Sequence, residues 1–150
     1  MAEDTEGVSE SAVRAAQDVR AVFSRLRRAL RGVPVTADGL TPSQTSVLSR
    51  LSRDGAASAS ALAAAERVRP QSMAATLAAL EQHGLIRRDQ DPEDGRKQLV
   101  TLSAAGVQRV QGDRQARQEW LARALQEGYT EAERATIIEA LALLDRLTQS

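Results

Sequence analysis

One segment with strand character interrupts a sequence whose other apolar positions follow helical spacing, and this segment restricts the fold more than any other feature. It begins with Leu85-Ile86-Arg87-Arg88, turns at Asp91-Pro92-Glu93-Asp94-Gly95 and returns as Gln98-Leu99-Val100-Thr101-Leu102. Pro, Asp and Gly between two short apolar runs are typical of a turn that joins antiparallel strands. The segment therefore predicts a two-stranded β-hairpin with a charged tip.

Four helices are predicted before the hairpin. The first carries apolar residues at helical spacing and ends by Gly32, and residues 33–40 are predicted to form a loop. The second opens with Thr41-Pro42-Ser43-Gln44, a capping box with proline in the first turn, and ends at Asp54-Gly55. Its expected buried residues are Val47, Leu48 and Leu51.

The third helix is short and starts at a Ser58 cap, and it reaches about Glu66. The fourth begins near Pro70 and is ended by Gly84. Its expected buried face consists of Met73, Leu77 and Leu80.

Two further helices are predicted after the hairpin. One runs from Ser103 to Gly128, although Gly112 and the polar stretch 113–119 weaken the helical pattern in its middle. The other follows a second capping box at Thr130. Its apolar face comprises Ile137, Ile138, Leu141, Leu144 and Leu147.

This element order predicts a mainly α fold with a small two-stranded β wing, an α+β arrangement. Helices two to four with the hairpin, residues 41–102, form a winged helix-turn-helix unit. Residues 11–32 and 103–150 form a helical dimerisation region. Residues 1–10 are expected to be a disordered acidic leader.

Composition excludes several classes of site and of location. The chain has no Cys and one His, so a thiolate metal site, a disulfide and an imidazole-based zinc cluster are not expected, and no cofactor or metal is assigned. No apolar run is long enough to span a bilayer, and the acidic N-terminus is unlike a secretory signal. We therefore expect a soluble cytoplasmic protein without a membrane partner.

The hairpin resembles the wing of the MarR family of bacterial transcriptional regulators. The most specific match runs from Leu85 through Asp94-Gly95-Arg96 to Ser103 and Gly106, and the resemblance extends from about Val13 to Leu147. It implies that Arg96 enters the DNA minor groove while Asp94 helps to hold it. An arginine on a rigid turn suits a narrow, electronegative groove. Asp before Gly is also common in turns, so the alternative is that Asp94 only stabilises the turn.

The resemblance also places the recognition helix at residues 69–76, with its N-terminal end towards the bases. There, Gln71 can pair with adenine and Ser72 can donate or accept a hydrogen bond. The helix departs from the family because Arg69 replaces a Ser or Thr cap and no basic residue occurs from 70 to 82. Phosphate contact and DNA shape are therefore expected to carry more of the recognition. The expected DNA contacts are Ser43, Ser58, Arg67, Arg69, Pro70, Gln71, Ser72, Ala75, Thr76, Asp94, Arg96 and Lys97.

Charge does not by itself reveal a DNA-binding face. Residues 60–100 contain six basic and six acidic side chains, so their net charge is zero. A DNA-binding face then requires segregation, with Arg67, Arg69, Arg96 and Lys97 outward and the carboxylates elsewhere.

The terminal helices are not needed for a wing domain alone, and in the resembled family they interlock with a second subunit. The 27 Ala among 150 residues also give a monomer a thin core, which favours burial against a second copy. The alternative is that these helices complete a monomeric core. The expected dimer contacts are Val19, Phe23, Leu26, Ile137, Leu141 and Leu144.

These observations predict a homodimeric regulator that binds a pseudo-palindromic double-stranded DNA operator, as a repressor released by a small organic ligand. Only Phe23, Trp120 and Tyr129 offer an aromatic ring to such an effector. The alternative is a winged-helix protein-interaction module that has lost specific DNA reading, which the Ala-rich recognition helix favours. An enzyme is not expected, because His83 has no partner for a nucleophile relay and no Gly-rich phosphate loop occurs.

Overall fold

The computed structural model describes residues 7–33 and 39–150 and divides into two compact units. In the first unit, residues 1–34, the described residues 7–33 form one helix, α1 (Glu10–Arg31). Ser9 caps it, since its Oγ accepts a hydrogen bond of 3.2 Å from the N–H of Ala12. The helix thus begins at the last position assigned to the acidic leader, and residues 1–6 of that leader lie outside the described residues.

The second unit, residues 35–150, contains all the other elements. In chain order they are α2 (Pro42–Asp54), β1 (Ala57–Ser58), α3 (Ala59–Glu66), α4 (Pro70–Gln82), β2 (Ile86–Gln90), β3 (Gln98–Leu102), α5 (Ala104–Gly128) and α6 (Glu131–Asp145), followed by a short 3₁₀ turn (Arg146–Thr148). Both predicted capping boxes are present, at Thr41 with Gln44 and at Thr130 with Glu133. The predicted loop lies partly outside the described part of the chain, since residues 34–38 are not described.

The wing is a three-stranded antiparallel sheet with the strand order β1-β3-β2. The predicted hairpin forms, with Ile86 opposite Leu102 and Gln90 opposite Gln98. The third strand is an addition to the predicted two-stranded wing, because Ala57 and Ser58 pair with Val100 and Leu99. A two-residue segment is too short to show the alternation of apolar and polar residues that identifies a strand in a sequence. This strand is therefore defined only by its pairing with β3. The predicted mainly α fold with a small β wing is confirmed.

The core of the second unit lies between the helices and the sheet. All six residues predicted to be buried on α2 and α4 belong to it, as do residues of α3, the strands and α5. Its buried members are Val47, Leu48, Leu51, Leu62, Ala63, Met73, Leu77, Leu80, Leu85, Ile86, Val100 and Val110. This core fixes α4 against α2, α3 and the sheet, and so determines which face of α4 is left outward.

The start of α5 is bound tightly to the turn between α4 and β2. Ser103 caps α5 through Gly106, while its own N–H donates to the carbonyl of Leu85 and its Oγ donates to the carbonyl of Gly84 at 2.5 Å. Gly84 has φ +70°, a left-handed conformation that glycine adopts without strain. A Cβ at Gly106 would overlap the Leu85 carbonyl oxygen, so this close approach requires glycine.

Helix α5 is continuous through the region in which its sequence pattern is weak. It has 25 residues and includes both Gly112 and the polar stretch that follows. Asp113 is buried there, and its Oδ1 lies 3.4 Å from Nε of Arg109 one turn earlier. None of the helices in the described residues is long and apolar enough to cross a membrane.

Candidate nucleic-acid interface

Helix α4 exposes the N-terminal end that the sequence assigned to DNA contact. Arg69 is its N-cap, without a side-chain capping hydrogen bond, and Pro70 occupies the first turn. Gln71, Ser72 and Ala75 are exposed. Thr76 is half-buried, on the side of the helix that faces the core. The exposed end therefore offers amide, hydroxyl and methyl groups, and no carboxylate.

The turn between α3 and α4 has an unusual residue at its centre. Arg67 has φ +55° and ψ +45°, and it is the only residue other than glycine with a positive φ in the described ranges. Its N–H donates to the carbonyl of Ala64, and the N–H of Val68 donates to that of Ala63. A left-handed conformation costs an arginine about 1–2 kcal/mol relative to the right-handed region. Sequence spacing gave no sign of this strained position.

The wing tip is ordered by two side-chain to backbone hydrogen bonds. Asp94 Oδ1 accepts from the N–H of Arg96 at 3.1 Å, and Asp91 Oδ1 accepts from the N–H of Glu93 at 2.9 Å. The N–H of Lys97 donates to the carbonyl of Asp94 at 3.0 Å. Asp94 thus holds the backbone of Arg96, as the turn chemistry predicts, and its role towards DNA stays a prediction.

The start of α3 and the wing line one cleft of about 450 Å³. Three of the predicted contacts, Ser58, Arg96 and Lys97, meet there although Ser58 and Arg96 are 38 positions apart in the sequence. Strand β1, which pairs with β3, brings the Ser58 cap beside the wing. Ser43 lies apart from this cleft, in the exposed first turn of α2.

Carboxylates in this unit are mostly occupied by neighbours. Glu81 on α4 lies 3.1 Å from Nε of Arg88, and Asp89 lies 3.5 Å from a guanidinium nitrogen of Arg87. Glu66 is bound by Arg50 at 2.7 Å. By contrast, no carboxylate of the described residues lies within 4.0 Å of the basic groups at positions 67, 69, 96 and 97. Segregation of charge in this region is therefore incomplete: Glu66, Glu81 and Asp89 lie in ion pairs, whereas Asp91, Glu93 and Asp94 lie at the wing tip with the exposed cations Arg96 and Lys97.

Comparison with known proteins agrees with this geometry. The model of the MarR family matches residues 40–97, which include α2, α3, α4, strands β1 and β2 and the wing tip, and which end before β3. An HTH-type transcriptional regulator of Mycobacterium bovis is 41% identical over 116 residues, which cover 77% of this chain and 80% of that protein. The chain belongs to the MarR family. A Mycobacterium leprae HTH-type transcriptional regulator is also 41% identical, over 112 residues that cover 75% of this chain and 78% of the relative.

Solved structures extend the MarR likeness to the whole fold. A Pseudomonas aeruginosa protein assigned as a transcriptional regulator is 37% identical, with a TM-score of 0.77 over 95% of this chain and 99% of that one. A Thermotoga maritima transcriptional regulator has a TM-score of 0.78 over 91% and 94% of the two chains at 18% identity, which shows the fold alone. The chain is thus a DNA-binding MarR transcriptional regulator with a winged helix. The family is non-enzymatic, and the comparisons do not favour the interaction-module alternative.

Proposed function

We propose that this MarR regulator is a homodimer that binds a pseudo-palindromic DNA operator and represses transcription until a small organic ligand releases it. One observation carries the DNA part of the proposal: four exposed cations without a carboxylate within ion-pair distance lie in the turn before α4 and on the wing, and the exposed N-terminal half of α4 carries no charge. These cations are Arg67, Arg69, Arg96 and Lys97. Cations beside phosphates supply affinity, and uncharged groups on a helix can read bases in the major groove.

The proposed roles follow from position. Arg96 enters the minor groove from the wing, and Asp94 keeps its backbone in place through the 3.1 Å hydrogen bond. Lys97 contacts phosphate. The N-terminal ends of α2, α3 and α4, near Ser43, the Ser58 cap and Pro70, direct backbone N–H groups of the residues in their first turns to phosphates.

On α4, Gln71 contacts the edge of a base. Three further residues of this helix also contact base edges: Ser72, Ala75 and Thr76. Arg67 and Arg69, in the turn before the helix, contact the DNA backbone.

The dimer proposal rests on apolar groups that the chain leaves exposed at both ends. Phe23 on α1 and Leu141 on α6 are 46% and 48% exposed. Val19 and Leu26 of α1 and Ile137 and Leu144 of α6 are half-buried. Exposed apolar stripes of this kind are stabilised by burial against a second copy. In a two-fold dimer, the two α4 helices would meet half-sites about 34–36 Å apart on one face of DNA.

The effector proposal follows from the chemistry that the chain can offer. The chain contains no cysteine to oxidise, and the described residues hold no group of three or more His, Cys, Asp or Glu side chains placed to bind a metal. Phe23, Trp120 and Tyr129 remain partly exposed and can stack on an aromatic ligand. We assign no catalytic step, and we place the protein in the cytoplasm.

Selection of bound sequences from a random duplex pool tests the proposed function. We expect enrichment of a motif with two inverted half-sites, and a reporter gene behind that motif should be repressed in cells that produce the protein. A pool without an enriched motif would contradict specific DNA binding, and an enriched motif without inverted symmetry would contradict the dimeric mode.

A further inference from the structure

The outward face of α4 has an unusual composition for a helix that enters DNA. Its buried face points to the core through Met73, Leu77 and Leu80. At about 100° per residue, the positions opposite that face fall at intervals of four, three and four residues. These positions hold Gln71, Ala75, Ala78 and Gln82, all exposed, and we call them the outward stripe.

The outward stripe carries amides and methyl groups and no charge. Between residues 70 and 82 the single ionisable side chain is Glu81, which lies to one side of the stripe and accepts a hydrogen bond of 3.1 Å from Arg88 on β2. Because alanine side chains are short, they allow the helix backbone to come close to the DNA. The stripe can therefore approach the floor of the major groove closely and bring methyl groups to it.

Base edges differ in what such a stripe can recognise. Guanine is read best by arginine or lysine, which the stripe lacks, whereas adenine pairs with a glutamine amide and thymine presents a 5-methyl group that alanine contacts. From Gln71 to Ala78 the helix advances about 10 Å, which is about three base pairs. The chemistry of the stripe thus matches a short run of A·T pairs.

We propose that α4 reads A·T pairs at the centre of each half-site, with Ala75 and Ala78 contacting thymine 5-methyl groups while Gln71 pairs with adenine. This inference rests on the proposed function and adds the chemical identity of the bases. Specificity then comes from apolar contact in the major groove, while the exposed cations of the α3–α4 turn and the wing supply affinity that does not depend on sequence.

The test replaces thymine by deoxyuridine in the operator obtained from the random pool. This exchange removes one methyl group and keeps every hydrogen-bonding group of the base pair. At each thymine that meets the outward stripe, we expect affinity to fall about three- to five-fold, the effect of losing one buried methyl group. Deoxyuridine at thymines outside the two half-sites serves as the control and should leave affinity unchanged.

A protein variant identifies the partner of each methyl group. Ala75→Gly removes the methyl group of the helix, and on the thymine operator it should weaken binding about as much as deoxyuridine does with the parent protein. The two changes together should cost little more than either one, because both remove the same contact. Ala74→Gly is the matched control, since it has the same helix-propensity cost and lies about 100° around the helix from Ala75.

The outcomes separate this inference from the proposed function. An enriched operator with G·C pairs at the half-site centres, or one whose deoxyuridine form binds as tightly as the thymine form, overturns thymine reading and leaves DNA binding intact. A random pool that yields no motif overturns both. If the losses of affinity from Ala75→Gly and from deoxyuridine were additive, Ala75 would not be the residue that contacts this thymine methyl group.

Discussion

The carboxylate of Glu66, at the end of α3, accepts a hydrogen bond of 2.7 Å from Nε of Arg50 on α2. Ser46 Oγ donates to the same carboxylate at 2.9 Å. Burial alone would raise the pKa of Glu66, but these hydrogen bonds and the positive charges of Arg50 and Arg53 outweigh it and lower the pKa below 4.5. The contact fixes the end of α3 one residue before the strained turn that leads into α4.

We expect Glu66→Gln to lower the free energy of unfolding by about 1–2 kcal/mol at pH 7, because the variant loses a charge-assisted hydrogen bond that is largely shielded from solvent. The folded-state pKa of Glu66 is depressed, so its contribution is complete above about pH 4.5 and is lost as the pH falls through the folded-state pKa. Chemical denaturation of parent and variant between pH 3 and pH 7 measures this difference. A difference that stays constant down to pH 3 would contradict the role of the ion pair.

Replacing Arg67 by glycine should move stability and DNA affinity in opposite directions. Arg67→Gly relieves the left-handed conformation at φ +55°, and after the larger entropy of an unfolded glycine is subtracted we expect the free energy of unfolding to rise by about 0.5–1 kcal/mol. The same variant loses a phosphate contact and should bind DNA more weakly at low salt. Arg67→Ala is the control, because it removes the charge and keeps the strain. Weaker folding of Arg67→Gly, measured by urea titration, would refute the strain argument.

Arg96→Ala should leave the fold intact, since the side chain is exposed and the Asp94 hydrogen bond involves only the Arg96 backbone. Loss of a minor-groove arginine should weaken operator binding by about 1–3 kcal/mol and reduce the salt dependence by about one unit. Lys97→Ala should have a smaller effect, because it is expected to contact phosphate or solvent only. Fluorescence anisotropy at two salt concentrations measures both variants.

Gln71→Ala is the comparison that separates base reading from positioning. If Gln71 reads adenine, its loss should reduce discrimination at one base pair of each half-site, while losses at Arg96 and Lys97 should be similar on all sequences. Equal binding of Arg96→Ala and the parent protein at both salt concentrations would contradict the proposed role of the wing.

Much of the fold could be predicted because its local signals agree with one another. Thr41 and Thr130 open helices where the capping boxes place them, and the spacing of Met73 and Leu77 identifies the buried face of α4. The hairpin forms around the turn that its Asp, Pro and Gly residues mark. Each of these signals lies within a few residues of the sequence, so tertiary structure is not needed to read it.

Other features depend on contacts between distant segments and leave no local pattern. Strand β1 exists because Ala57 meets Val100. The exposed cations could be separated from the paired ones only when the structure placed Glu81 beside Arg88. The left-handed turn at Arg67 also had no signal, because the sequence has arginine where glycine would mark such a turn.

Two glycines of α5 should respond oppositely to the same substitution. Gly106→Ala places a methyl group against the Leu85 carbonyl, so the backbone must shift and we expect a loss of about 1–3 kcal/mol in the free energy of unfolding. Gly112→Ala meets no atom within 4 Å among the described residues and should add about 1 kcal/mol through helix propensity. Thermal and urea unfolding of the two variants measure the contrast. A stable Gly106→Ala protein would contradict the close approach of α5 to the α4–β2 turn.

The exposed apolar surface of α6 extends beyond its predicted face. Ile138 and Leu141 of that face are 67% and 48% exposed, and Leu147, which the sequence assigned to the same face, is 71% exposed in the 3₁₀ turn that follows α6. Leu143 was not assigned to the face; it is 61% exposed and lies on the other side of α6 from Leu141. Such groups favour association because burying each large aliphatic side chain contributes about 1.5–3 kcal/mol.

Leu141→Glu places a charge in the proposed interface and should shift the protein towards monomer, because an unpaired charge is costly to bury. Ala135→Glu is the matched control, since Ala135 is exposed and lies between Glu131 and Glu139 on a charged side of α6. Sedimentation velocity at micromolar concentration should give about twice the 16.1 kDa chain mass for the parent and for Ala135→Glu, and a lower mass for Leu141→Glu. The monomer should also bind a single half-site more weakly than the dimer binds two, because the linked sites no longer act together. A folded parent protein that sediments as a monomer at this concentration would refute the dimer.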